Sequence, residues 1–547
     1  MWHDGWRFDQ GPSLLLLPKL FAETFHELGT SLEDEGVELL RCPTNYAVWF
    51  SDGERFELST DLARMKEQVE RWEGKDGFIR YLAWLGEGHT HYELSVRDVL
   101  RRNFLGLWDL VRPSFIITGL RIHPLHTIWG RACQYFWSER LRRVFTFATM
   151  YMGMSPFDAP ATYSLLQYTE LAEGIWYPRG GFHAVLDALV RVGERYGVQY
   201  RLGTAVRRVL THPDGETVRG VELESGEVLE ADVVVINADL VYAYSNLFPQ
   251  KRQRENGSSE KTRGMDGNNG RYARSLRAKA GSCSSISFYW SVNRKLPELQ
   301  THNIFLADEY RESFDAIFKR QDLPAEPSFY VNVPSRIDPS AAPEGADAVI
   351  ALVPTGHLRD SRGFSPVGDI DDKGVPRELD WDALVDRARR AVLDTVKART
   401  GCDLTLEKSI VHEFVNDPRI WEEKFNLDKG SILGLSHSFF NVLAFRPATR
   451  AKGFRGAYFV GASTHPGTGV PIVLAGSRLT AEQILDDLNA PVPWRGLPSK
   501  IQDQGVRQDE NTRKLDRLMP PRVRMVTIFI VLIPFWVVMY FCSGSVL

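Results

Sequence analysis

At 547 residues the chain exceeds the roughly 250–300 residues at which a single hydrophobic core stops growing, so more than one core is expected. Hydrophobic residues make up 43% and charged residues 25%, a globular balance, and a formal net charge of -4 argues against a general nucleic-acid binder. Cys42, Cys133, Cys283, Cys402 and Cys542 stand far apart with no CxxC pair, which predicts reduced structural thiols and no metal centre.

Along the chain, Met1–Arg7 holds no continuous apolar run and Leu14–Leu17 is too short for a signal sequence. Aromatic residues crowd between Trp72 and Trp176, either as ordinary core or as the lining of an apolar pocket. His89 and His91 form a close pair without further ligands beside them, and they read as a surface loop. Phe182, Val185, Leu186, Leu189 and Val190 recur at i, i+3, i+4, i+7 and i+8, which predicts an amphipathic helix entered through the Pro178–Gly181 turn.

Short strands are predicted at Val198–Leu202, Ala205–Leu210, Val218–Leu223 and Val228–Glu230, the last two around a Ser225-Gly226 turn. Asp232–Asn237 is a β-branched run of the kind buried on both faces of a parallel sheet. Residues 251–281 carry nine Lys/Arg against three Asp/Glu and almost no large apolar side chains, so a disordered basic insertion is expected, with anionic lipid headgroups as a weaker reading. Asp360–Asp380 is a second polar loop. Ser284–Val292 and Ala348–Val353 read as strands and Trp381–Arg399 as a helix.

The most informative stretch is Gly456–Gly476, GAYFVGASTHPGTGVPIVLAG. Ala457–Val460 reads as a short strand, Gly461-Ala462-Ser463 as a tight turn, and the following residues lead into an apolar helix to Leu485. A glycine-lined turn at a helix N-terminus suits a phosphate or an electron-rich ring, and Gly461, Gly467 and Gly469 would let that ring approach the backbone. Met525–Cys542 is 18 residues without a charge, preceded by Arg513, Lys514, Arg517, Arg522 and Arg524, and the linker 489–524 before it is polar. That length fits a transmembrane helix, and the upstream basic residues predict a single-pass C-terminal anchor with the body in the cytosol, on the endoplasmic reticulum.

FVGASTHPGTGVPIVLAGS resembles the C-terminal signature of bacterial- and fungal-type phytoene desaturases in the flavin amine oxidase-like superfamily. Asp4–Ser13 (DGWRFDQGPS) is similar to the family strand that follows its dinucleotide motif, and Gly174–Phe182 (GIWYPRGGF) to its link into the substrate-domain helix. The likeness runs in order over residues 2–488, and the membrane tail and basic insertion are more similar to fungal members. The family's opening strand, G-x-G-x-x-G turn and helix are not in this sequence, and a segment of roughly 50 residues is expected before Met1.

The resemblance implies an α/β fold: a glutathione reductase-like, Rossmann-type FAD-binding domain, incomplete at its N-terminus, with an inserted α+β substrate domain. Residues 1–60, 181–245 and 441–488 would supply the FAD-binding pieces, and 61–180 and 282–440 the apolar substrate region. The implied cofactor is FAD rather than NAD. Gly461 and Ala462 would lie by its ribityl-pyrophosphate, Thr468, Gly469, Val470 and Pro471 near the isoalloxazine, Gly11, Pro12 and Ser13 on the facing piece, and Val206 at the adenine edge.

The implied activity is desaturation of phytoene towards lycopene in carotenoid biosynthesis, beside other enzymes of that pathway. Ile116, Ile117, Leu120, Trp129, Tyr135, Phe136, Trp137, Phe145, Phe147, Met150, Met152 and Met154 are expected to form a substrate tunnel or membrane-dipping entrance. Arg142, Asp158 and Glu170 are candidates for a polar group near the ring, and the sequence assigns no catalytic residue. Alternatives are a related carotenoid or lipid oxidoreductase, a saturase, or a non-catalytic carotenoid-binding membrane protein.

Overall fold

The computed structural model describes residues 1–112, 115, 118–119, 121–249, 268–359, 379–406 and 409–495. Its centre is a seven-stranded mixed sheet in the order Ile410–Asn416, Ser284–Val292, Asp347–Thr355, Phe329–Asn332, His302–Phe305, Tyr46–Trp49, Arg55–Leu58. Ser284–Val292 lies between two neighbours with all nine residues buried, and it pairs antiparallel with Asp347–Thr355 from Ser284–Thr355 to Val292–Asp347. His302–Phe305 runs parallel to Tyr46–Trp49, which places strands from residues 46–58 in the same sheet as the 282–416 region.

Alternation along the strands sends side chains into two cores. Ala47, Trp49, Ile286, Phe288, Trp290 and Phe305 pack with Trp381, Leu384, Ala388, Val392 and Val396, the helical stripe of Trp381–Thr400. Tyr46, Val48, Ile304 and Tyr330 pack on the other face with Tyr81, Trp84, Phe136, Phe145 and Phe147. The aromatic segment is therefore largely packed core: Phe136 and Phe145 stack at 4.4 Å and both are fully buried. Trp137 is instead 66% exposed beneath the Arg80 guanidinium. Ile116, Ile117 and Leu120 lie outside the described residues. Of the residues expected to line a tunnel or entrance, Phe136, Phe145 and Phe147 are therefore close-packed core.

A second unit carries the parallel pair Val234–Ile236 with Ala457–Phe459, beside a three-stranded antiparallel sheet of Val206–Thr211, Val218–Leu223 and Val228–Glu230. Its own core joins Val209, Val218, Ile236, Tyr244, Phe248, Phe454 and Phe459. Val235 is 49% exposed, so the run expected to be buried on both faces is covered on one only, since its sheet has two strands. Val198–Leu202 forms no strand, and Leu202 is exposed. With no partner strand alongside, β-propensity alone does not fix an extended segment.

Phe182–Arg195 is the predicted helix, but it buries Phe182, Val185, Ala188 and Val192 and leaves Leu186 and Val190 exposed. Residues 268–277 correct the expectation of a wholly disordered insertion: Asn268–Arg277 is a helix, and Ala273 and Leu276 are buried in the second unit's core. Arg277 pairs with Asp428 at 2.8 Å. Residues 250–267 and the expected transmembrane helix 525–542 lie outside the described residues. Among the described residues no helix is long and apolar enough to cross a membrane.

The N-terminal piece is anchored by charge. Arg7 and Asp338, 3% and 0% exposed, pair at 2.6 Å, and Asp338 also accepts the Gly180 N–H at 2.8 Å and the Ser340 hydroxyl at 2.8 Å. Asp9 accepts the Phe182 N–H and the Tyr177 hydroxyl. Residues 7–9 are thereby locked onto the Pro178–Phe182 turn.

Candidate functional site

Two turns leave the carboxyl ends of the parallel pair, Asn237–Asp239 and Val460–Ser463, and the crevice outside such ends is where open α/β folds bind ligands. The chain then runs to Gly469, which begins the helix Val470–Asp487 with Pro471 in its first turn. Gly469 has φ +100°, and a side chain there would find only Ile472 Cγ1, at 3.7 Å. Backbone and the positive end of an 18-residue helix thus face open space.

Gly461 and Gly467 are glycine for a different reason. A Cβ at Gly461 would collide with Asn237 Oδ1, and one at Gly467 with the His437 ring. The chain's own side chains fill the space that a ring was expected to occupy at those two positions, and only Gly469 keeps the predicted open approach.

Behind the turn lie two residues that carried no sequence signal. His437 is buried and its Nε2 accepts the Thr468 N–H at 3.1 Å, which puts the ring proton on Nδ1, where it has no partner. Burial, with Arg446 nearby, keeps this imidazole neutral by pushing its pKa well below the usual value. Arg446, 3% exposed, spends all five donors on backbone carbonyls: Nε on Thr464 at 3.0 Å, one amino group on Ser436 and Asn441 at 3.0 and 2.7 Å, the other on Leu435 at 3.2 Å and on Ala462. Among the described residues no carboxylate pairs with it. A buried donor without a partner and a buried cation without an anion both suit a flat, electron-rich group, so the residues present fit a flavin ring.

Of the predicted site residues, Thr468, Gly469, Val470 and Pro471 lie together at this turn, and the Ala462 carbonyl is held by Arg446. Val470 and Leu474 pack against the cluster of Leu15, Phe21, Tyr177 and Phe182, which brings the N-terminal piece alongside. Ser13 shares a hydrogen bond with the Tyr330 hydroxyl at 2.9 Å, while Gly11 and Pro12 are exposed. Val206 pairs with Leu223 on the three-stranded sheet and is 37% exposed.

From Ser13 a polar chain enters the aromatic core. Tyr330 also meets His302 Nδ1 at 2.7 Å, and His302 Nε2 meets Cys42 Sγ at 3.5 Å. Tyr46, whose ring neighbours His302, donates to Glu170 at 3.0 Å, and Gln167 donates to the other carboxyl oxygen. Burial pushes Glu170 up to about 8, so it is protonated at neutral pH.

Because its folded pKa is raised, Glu170 favours the folded state fully below about pH 4.5, and that contribution is lost as pH rises towards 8. Glu170→Gln, neutral at every pH, is expected to remove up to about 1.4 kcal/mol per pH unit of this decline. Denaturant unfolding at pH 5 and 8 checks it; an unchanged pH slope in the variant would show that the carboxyl is already ionised. Arg142 donates to the Phe136 carbonyl and Asp158 is exposed, so neither reaches the turn through these contacts.

A small apolar recess of about 10 Å³ is lined by Met150, Met154, Cys283, Phe314, Ile317 and Phe318. Of the expected tunnel residues, Met150 and Met154 reach it. Two groups of histidines and acids also come together, His3–Asp4–His412 and Glu87–His91–His123. In the second, Arg131 already holds both oxygens of Glu87, which offsets the charge a cation would need.

Residues 3–267 match the family described as flavin containing amine oxidoreductase. The chain is 58% identical to the phytoene desaturase of Neurospora crassa over 94% of its own length and 85% of that protein's. It is 54% identical to the phytoene desaturase of Cercospora nicotianae, over 95% and 87%. An oxidoreductase from Methanosarcina mazei shares the fold at 14% identity, with a TM-score of 0.51 over 88% of this chain and 90% of that one.

Proposed function

Because the chain belongs to the phytoene desaturase family of flavin-dependent oxidoreductases, we propose that it introduces C=C bonds into phytoene by FAD-mediated dehydrogenation. The observation that carries this is the Gly461–Val470 turn: an open glycine backbone, a helix N-terminus, an unpaired imidazole N–H and a buried cation meet outside a parallel strand pair. Bound there, FAD supplies an acceptor for a hydride from the substrate. Thr468–Pro471 would hold the ring, with Gly461 and Ala462 towards its ribityl-pyrophosphate, Ser13 on the facing piece, and Gly11, Pro12 and Val206 as outlying contacts.

Substrate recognition rests on burial, since a hydrocarbon offers no hydrogen bonds and gains about 25 cal/mol per Å² of surface removed from water. Met150, Met154, Phe314 and Ile317 would form one wall and exclude water from the reacting carbons.

The apolar run 525–542 and the arginines before it support a membrane anchor with the catalytic body in the cytosol, at the endoplasmic reticulum, where a lipid-soluble substrate and neighbouring pathway enzymes would be met. One experiment addresses these readings together. The full chain is produced in a host that accumulates phytoene, and product colour, bound flavin and distribution between membrane and soluble fractions are read, with a chain ending at Arg495 as comparison. Coloured polyenes, a flavin-loaded protein and loss of membrane attachment in the shortened chain are expected. Flavin without coloured product would favour a saturase or another lipid oxidoreductase; no flavin would leave a carotenoid-binding role.

A further inference from the structure

Arg446 has every hydrogen bond it can make and still lacks a counter-charge among the described residues. Five carbonyl dipoles satisfy its N–H groups, but they leave a net charge of one in a site removed from water. Among the described residues its surroundings add no anion. Tyr163 is the acid that acts on it, and burial keeps that phenol neutral. His437 and His465 are neutral, the latter with Nε2 facing the Val99 and Arg102 carbonyls and Nδ1 unpaired. Lys279 brings a second cation onto the same loop, donating to Phe440, Asn441 and Phe445.

Arg446 grips the carbonyls of Ala462 and Thr464, so this charge sits directly behind the turn that ends at Gly469. The five hydrogen bonds give Arg446 a structural role, because they satisfy carbonyls that would otherwise be buried unpaired, but that role needs donors and not a net charge.

We propose that Arg446 is a positioning residue for charge: it supplies the turn with an unbalanced positive charge that stabilises bound flavin in its reduced, anionic form over the oxidised form. The inference rests on the flavin site proposed above. A flavin held at this turn would supply the acceptor for the electron pair and hydrogen of a substrate C–H bond, and having taken them up as a hydride it would carry one more negative charge. The substrate cation then loses a proton. The charge of Arg446 would be balanced by that negative charge without the side chain moving, because its geometry is fixed by backbone carbonyls on both the 435–441 and 462–464 segments.

The test uses the full chain loaded with FAD. In the wild type, the midpoint potential is followed with pH; an anionic reduced flavin takes up one proton per two electrons, and this stoichiometry is expected to persist to lower pH than for unbound FAD. Arg446→Gln is expected to weaken binding of reduced relative to oxidised flavin at least tenfold, a fall of about 30 mV for a two-electron couple. Arg446→Lys, which keeps the charge but loses most of the fork, is expected to stay within threefold of wild type, with both variants less heat-stable. Equal potentials in all three proteins, or equal shifts in Lys and Gln, would overturn the proposal while leaving the flavin site intact. A wild type whose reduced flavin takes up two protons per two electrons over the same range as unbound FAD would overturn it without either variant. Failure to retain FAD even with the segment expected before Met1 supplied would instead overturn the site itself.

Discussion

Gly469→Val is expected to abolish flavin retention and desaturation in the FAD-loaded enzyme while the fold survives. The residue occupies φ +100°, ψ 137°, a conformation that costs a side-chain-bearing residue roughly 1–3 kcal/mol, and β-branching narrows its options further. The added side chain would meet only Ile472 Cγ1 at ordinary contact distance, so the damage comes from the backbone and not from a clash in the core. Relief of the strain requires φ to change, which re-aims Thr468 and Val470 at the mouth of the site while the helix beyond Ile472 still forms. Bound flavin per protein, coloured product from phytoene and thermal unfolding measure the three effects separately. Full activity would remove Gly469 from the cofactor site.

His465→Ala is the informative companion. Its ring bonds the Arg102 carbonyl at 2.8 Å, tying a neighbouring turn in place, so partial activity is expected there.

Asp338→Ala carries the largest expected loss of stability. It takes from the Arg7 guanidinium, 3% exposed, its hydrogen-bonded anion, leaving only Asp9 nearby, and frees the Gly180 N–H and the Ser340 hydroxyl at the same time. Breaking a buried pair from one side costs about 3–5 kcal/mol. Asp338→Asn, which keeps the shape and one carbonyl acceptor, should lose less, and Asp338→Ala combined with Arg7→Met should recover part of the deficit because no charge is then left unpaired. Chemical denaturation of these proteins and of Arg7→Met alone checks the order; additive losses in the double variant would mean that the two side chains do not act as a pair.

The strands at Ser284–Val292 and Asp347–Thr355 and the helix at Trp381–Thr400 were legible because continuous burial or a helical stripe writes itself into the order of apolar residues. The turn at Gly461–Val470 was legible through its glycines, although two of the three serve Asn237 and His437 and not a ring. Arg446 and His437 were not legible: each is a single polar residue in an irregular loop, and its meaning comes from carbonyls and an amide that only the folded chain brings to it. Composition likewise could not tell packed rings such as Phe136 and Phe145 from a tunnel wall, since both need the same residues. Val198–Leu202 failed in the opposite direction, having the composition of a strand and no neighbour to pair with.

The cores on the two faces of the seven-stranded sheet and the core under the parallel pair share no side chains. The first two are tied together by seven strands, whereas the third depends on a two-stranded pair, a small antiparallel sheet and short helices. The molecule is expected to open first at the smaller unit: amide hydrogens of Val234–Ile236 and Ala457–Phe459 should exchange with solvent through openings that leave those of Ser284–Val292 protected. Val470 and Leu474 pack on the Leu15–Phe182 cluster, so the cofactor turn joins the small unit to the rest and would feel the opening of either.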